Sequence, residues 1–117
     1  PVIVSMGGVA GSGGYWVSMD ADKIIASPGT ITGSIGVLAG KMIAAGMFDK
    51  VGLTFDGIKY GENSTIYDSG QDFSPSELAR FRAMLDFIYE DFTTKVANGR
   101  KLPKEKVLEI AKGRIWS

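Results

Sequence analysis

Val2-Ile3-Val4-Ser5-Met6-Gly7-Gly8-Val9-Ala10-Gly11-Ser12-Gly13-Gly14-Tyr15-Trp16 runs from an apolar, β-branched stretch into a glycine cluster with one serine inside it. Val2 to Ser5 reads as a short buried strand. Ser12 to about Asp20 reads as a helix with Tyr15, Trp16 and Met19 on one side. A strand, a tight turn and a helix start put Ser12 where a nucleophile can be activated. Its small neighbours let the backbone turn sharply and let a carbonyl approach closely. The helix start adds unpaired N–H groups and a partial positive charge, both favourable to a developing oxyanion. Read locally, a plain N-cap explains the same serine.

Outward from this stretch, short strands and helices alternate, which argues for an α/β fold. Lys23 to Ala26 is a second short apolar run, and Ser27-Pro28-Gly29 is a turn signal. Thr30 to Val37 is β-rich but interrupted by Gly33 and Gly36, a pattern of bulges or close backbone approach. Lys41 to about Val51 reads as a helix, Leu53 to Lys59 as an alternating strand, and Tyr60 to Asp72 as a surface loop. The clearest helix spans Phe73 to Asn98. Ser74 suits the N-cap, Pro75 the first helical position and Glu77 the capping box, with Phe73 and Leu78 at the staple positions. Leu78, Phe81, Leu85, Ile88, Phe92 and Val96 form one apolar stripe, leaving Glu77, Arg80, Asp91 and Lys95 able to face water. A last helix runs from Pro103 to about Lys112.

Composition narrows the chemistry. The chain has 117 residues, 44% hydrophobic and 22% charged, with 13 basic and 13 acidic residues. That balance gives no support to nucleic-acid binding. With no cysteine and no histidine, disulfides, thiolate or histidine zinc sites and a Ser-His-Asp triad are excluded. The base for a nucleophilic Ser12 is then most simply a lysine, which must be neutral to accept the serine proton; apolar burial lowers its pKa to that end. The acidic residues have no calcium-loop spacing. Gly36 to Met42 lacks the P-loop's glycine spacing and its following Ser/Thr, so no cofactor is implied. No apolar run approaches the roughly 20 residues that cross a bilayer. The chain opens at Pro1 and enters a strand almost at once. It reads as an internal piece of a longer protein, with any anchor or targeting segment outside it.

Gly7 to Trp16 resembles the nucleophile segment of the signal peptide peptidase A family of serine proteases. Three further segments match that family in order: Ala21-Asp22-Lys23-Ile24, Thr30-Ile31-Thr32-Gly33-Ser34-Ile35-Gly36-Val37, and Ala111-Lys112-Gly113-Arg114-Ile115-Trp116-Ser117. The resemblance spans essentially the whole chain. It implies a ClpP/crotonase-like fold of repeated β-β-α units, of which residues 1–117 are a partial domain. It also implies that Ser12 is the acyl-forming nucleophile, that the Gly13 N–H is one oxyanion donor, and that Ser34 orients the general-base lysine. The second oxyanion donor belongs to a glycine-rich segment upstream of Pro1.

The lysine is where the chain departs from short members of the family. Aligning Ile58-Lys59-Tyr60-Gly61-Glu62-Asn63-Ser64-Thr65-Ile66 on their base segment puts Ser64 at the base position, and Lys59 falls before it. Read locally, Lys59 is a solvated strand-end lysine. In long, two-domain members the N-terminal repeat supplies the lysine and the C-terminal repeat the serine. The chain therefore resembles the C-terminal half of a long member. The resemblance implies a homo-oligomer at the bacterial inner membrane, facing the periplasm and cleaving apolar peptides such as spent signal peptides. The alternative is a non-catalytic structural or assembly repeat of the same fold. The stretch around Ser12 and Ser34, with Met6, Val9, Trp16, Ile35, Val37 and Leu38, offers an apolar cleft lining or ordinary core.

Overall fold

The computed structural model describes residues 1–117, and they form two compact units. The first contains residues 1–37 and 87–117, the second residues 38–86.

All five strands lie in the first unit. They are β1 (Ile3–Ser5), β2 (Val9–Gly11), β3 (Lys23–Ile25), β4 (Ile31–Gly33) and β5 (Ile115–Trp116). β1 pairs in parallel with β3, Ile3 opposite Lys23. β2 pairs in parallel with β4, Val9 opposite Ile31 and Gly11 opposite Gly33. β5 adds to β4 antiparallel, Gly33 opposite Ile115. Thr30 ties the approach to β4 back to the glycine cluster. Its buried hydroxyl donates to the Gly7 carbonyl (2.8 Å) and accepts from the Ser27 N–H (3.1 Å).

The helices are α1 (Gly13–Trp16), α2 (Ala45–Lys50), α3 (Pro75–Arg100) and α4 (Lys104–Ile110). The first unit's core gathers Met19, Ile35, Phe92, Val96, Ala97, Val107 and Ala111, with Tyr15, Trp16 and Tyr89 packed against it. The Trp16 and Phe92 rings sit 4.2 Å apart, centre to centre. The stripe of α3 supplies Phe92 and Val96, and α4 supplies Val107. Gly99 lies inside α3 because the chain at Met19 and Asp20 passes so close that a Cβ there would collide with it. The helix stops one residue later, at Arg100. Lys101 takes a left-handed conformation (φ 54°), its N–H bonds to the Asn98 carbonyl and the Leu102 N–H to the Ala97 carbonyl. This is a Schellman ending with lysine where glycine is usual.

In the second unit the capping box forms as the sequence predicts. The Ser74 hydroxyl accepts the Glu77 N–H (3.2 Å) and Glu77 accepts the Ser74 N–H (2.8 Å). Glu77 does not face water, however. It is 1% exposed, and its other oxygen accepts the Thr65 hydroxyl at 2.5 Å, fastening the 61–67 turns to the start of α3. These bonds, the Thr65 one first and then the Ser74 N–H, hold its carboxyl below the usual range, with the Lys41 charge adding to the effect. The Lys41 ammonium stands 4.3 Å from the centre of the Phe73 ring, which in turn lies 4.9 Å from Phe81.

Four other expectations change. The helix after Ser12 is a single turn, because Gly13 and Gly14 are poor helix formers and the Ser18 hydroxyl bonds the Gly14 carbonyl (2.6 Å). The strand expected at Leu53–Lys59 is not formed. Its residues are exposed, and a strand needs a neighbour to take its N–H and C=O groups. The helix expected over Lys41–Val51 is confined to Ala45–Lys50. Two strands were not foreseen, β2 inside the glycine cluster and β5 at the chain's end. The strand that delivers Ser12 is therefore β2, not the Val2–Ser5 run. No helix is long and apolar enough to cross a membrane.

Candidate active site

Ser12 sits between the end of β2 and the start of α1. Its backbone is left-handed in φ (52°) with ψ −117°, a conformation that L-residues avoid. Such strain costs about 1–3 kcal/mol and persists only where surrounding structure imposes it. Here a hydrogen bond does: the Ser12 N–H donates to the Gly33 carbonyl at 2.9 Å, continuing the β2–β4 ladder past Gly11. The side chain of Ser12 makes no capping hydrogen bond, and the residue is exposed. The N-cap explanation of this serine therefore fails: its hydroxyl caps none of the helix's N–H groups. The next N–H, that of Gly13, has no acceptor within the chain and is solvent-exposed. Because α1 is one turn long, a negative charge placed here would meet that single N–H rather than a sizeable helix dipole.

Ser34 is the second residue brought to this place. It too has positive φ (49°), and its N–H donates to the Arg114 carbonyl at 2.7 Å. A Cβ built on Gly11 would stand 3.4 Å from the Ser34 Cβ, so Ser34 flanks the residue immediately before Ser12. Between them, Gly33 (φ 77°) lies beneath the Trp116 ring; a Cβ there would come within 2.5 Å of the Trp116 Cδ1. Thr32 closes the other side, its hydroxyl donating to the Ala10 carbonyl at 3.1 Å. Two serines at positive φ, an unpaired N–H beside one of them, and a ladder joining their segments make an ordered turn with Ser12 exposed at its edge.

The model of peptidase family S49 matches residues 1–117. The chain belongs to peptidase family S49. It is 37% identical over 117 residues to Protease 4 of Salmonella typhi, covering 100% of this chain and 19% of that protein. It is 36% identical over 118 residues to the chloroplastic serine protease SPPA of Arabidopsis thaliana, covering 100% of this chain and 17% of the relative. Protease 4 of Haemophilus influenzae is 39% identical over 121 residues, 99% of this chain and 19% of its own length. The chain thus spans about a fifth of the length of these S49 relatives.

Within this S49 chain no lysine is hydrogen-bonded to either serine. Lys59, in the second unit, is exposed and reaches the Gln71 amide oxygen at 3.4 Å and the Asp68 carboxylate at 4.0 Å. Ser64 is exposed in the turns of the same unit. Lys95 pairs with Asp91 (2.7 Å) and stands over the Trp16 ring, and Lys104 pairs with Glu90 (2.9 Å). No group of acidic residues is arranged to hold a metal. Tyr15, in α1, is half-buried; burial pushes its phenol up, against a smaller opposing pull from Arg100, so it stays protonated. The contribution of Arg114 and Trp116 was not legible beforehand. The tail matched the family pattern, but nothing in its sequence says that it pairs with the segment carrying Ser34.

Proposed function

We propose that this chain is the nucleophile half-site of a serine peptidase of the signal-peptide-peptidase type. The observation that carries the reading is Ser12: strained, exposed, not capping its helix, and next to an unpaired N–H. Its Oγ would attack the scissile carbonyl, passing its proton to a neutral lysine. The carbonyl oxygen would become an oxyanion facing the Gly13 N–H. Collapse of the tetrahedral intermediate would expel the amine, which takes the proton back from the lysine, and water would then hydrolyse the acyl-serine. Ser34 would orient the lysine. That lysine, and the second oxyanion donor, would come from outside residues 1–117, the lysine from the N-terminal repeat of the full-length protein.

The wider reading rests on the S49 relatives and the α/β pairing of β2, α1 and β4, which fits a ClpP/crotonase-like unit. The full-length protein would be a homo-oligomer at the bacterial inner membrane, its catalytic domain on the periplasmic side. It would degrade apolar peptides, spent signal peptides among them. Protease 4 relatives from Salmonella typhi and Haemophilus influenzae are bacterial, which supports that setting. The test is peptide cleavage by the full-length protein and its Ser12→Ala variant, with apolar and charged peptides in parallel. Loss of cleavage in a folded variant supports the reading. Retained turnover would leave the chain a structural repeat, and a preference for charged peptides would remove the substrate assignment.

A further inference from the structure

We infer that the C-terminal strand β5 is a clamp on the nucleophile turn, with Trp116 as its positioning residue. The inference rests on the peptidase reading for its consequence and on geometry alone for the clamp itself. Three contacts carry it, all made by Gly113–Trp116 on residues 33–35. The Gly113 N–H donates to the Ile35 carbonyl at 2.9 Å, and the Arg114 carbonyl accepts the Ser34 N–H at 2.7 Å. Trp116 covers Gly33 so closely that no side chain fits beneath it.

The carbonyl of Gly33 is the acceptor of the Ser12 N–H. A peptide plane that pivots at Gly33 would therefore move both strained serines at once. Glycine at φ 77° is free to pivot, since it has no Cβ to restrict it. The indole over it removes that freedom. A strained backbone persists only when its surroundings over-determine it, and the Trp116 ring supplies a constraint that the ladder bonds lack. Trp116 remains 45% exposed, more than packing into the core would leave, so its contact with Gly33 is the feature of note. Its neighbour Ile115 is 66% exposed and supplies a control within the same strand.

The test uses the full-length protein and three variants, Trp116→Ala, Trp116→Phe and Ile115→Ala. Backbone hydrogen exchange is read in the peptides that carry Ser12 and Ser34. Kinetics on an apolar peptide and acylation by a small fluorophosphonate are read alongside. In Trp116→Ala, exchange at both serines should accelerate by about tenfold or more, while the peptide carrying Phe92 and Val96 keeps its protection. In the same variant kcat and the acylation rate should fall by about tenfold or more, with KM within about twofold, because the group acts on the nucleophile and not on substrate binding. Trp116→Phe should restore most of each effect, and Ile115→Ala should match the parent. Unchanged exchange at Ser12 and Ser34 in folded Trp116→Ala overturns the clamp. Faster exchange with undiminished kcat overturns its role in the reaction. A parent protein that neither cleaves nor is acylated defeats the peptidase reading instead, and the exchange comparison still decides the clamp. Should Trp116→Ala not fold, Trp116→Leu, which keeps an apolar cover without the ring, carries the same comparison.

Discussion

The N–H of Ser12 donates to the carbonyl of Gly33 across 2.9 Å, joining the nucleophile candidate to the glycine that precedes Ser34. One bond thus holds the two halves of the site at a fixed separation. Gly33→Ala tests how much depends on that glycine. The new Cβ would meet the Trp116 Cδ1 at 2.5 Å and the Arg114 carbonyl oxygen at 3.1 Å, on a backbone already at φ 77°. Overpacking and strain of this kind cost about 1–3 kcal/mol each. Thermal unfolding should register that loss, together with slower acylation of Ser12. A variant as stable and as reactive as the parent would mean that Trp116 moves aside without cost.

Ser12→Gly separates a strained nucleophile from a capping residue by the sign of the stability change. Removing a capping serine costs only a few tenths of a kcal/mol with glycine and about 1 kcal/mol with alanine. Relieving a strained φ gains about 1–3 kcal/mol, less about 0.5–1 kcal/mol for the freer unfolded chain. Denaturant unfolding should therefore find Ser12→Gly as stable as the parent or more so, with peptide cleavage abolished. A loss of a few tenths of a kcal/mol in Ser12→Gly, with about 1 kcal/mol in Ser12→Ala, would return Ser12 to the capping role.

Glu77 gives the second unit a pH dependence. Its folded pKa lies below the ordinary value, through the bonds from Thr65 and the Ser74 N–H. A depressed carboxyl pKa contributes stability above the unfolded value, and that contribution is lost as pH falls through the folded one. Stability of the 38–86 unit should accordingly decline as the medium is acidified below the usual glutamate range. Glu77→Gln should be less stable than the parent at neutral pH and converge with it in acid. Melting curves across that range check this, and parallel pH profiles for the two proteins would contradict it.

The sequence was most legible where a local rule and the tertiary contacts agree. Ser74, Pro75 and Glu77 mark the start of α3 without outside help, and Phe92 and Val96 of its stripe enter the first unit's core. It was least legible where long-range pairing decides. Val9-Ala10-Gly11 is too short and glycine-rich to read as a strand; only β4, some twenty residues on, makes it one. Ile115-Trp116 becomes a strand for the same reason. Leu53 to Lys59 has the alternation of a strand, yet pattern without a partner leaves it irregular. At the site, Ser12 and Ser34 were readable from the motifs around them. Their positive φ values were not, because serine carries no preference for that region and the bonds that accompany it are long-range, from Ser12 to the Gly33 carbonyl and from Ser34 to the Arg114 carbonyl.

Phe92 and Phe87 stand on the same helix in opposite circumstances. Phe92 is 1% exposed against Trp16, whereas Phe87 is 72% exposed. Phe92→Ala removes a ring from a packed core and should cost about 3–5 kcal/mol. Reactivity of Ser12 should change little in whatever protein remains folded, since the nucleophile turn is held by β4 and β5. Phe87→Ala should lie within about 0.5 kcal/mol of the parent if water covers that ring. In the full-length assembly the comparison gains a second meaning. A Phe87→Ala variant that keeps its monomer stability but sediments as a smaller species would place Phe87 in a contact between copies. If neither unfolding nor sedimentation changes, α3 serves only the core of its own chain. A Phe92→Ala variant that melts with the parent yet loses cleavage would instead move the helix from scaffold to substrate site.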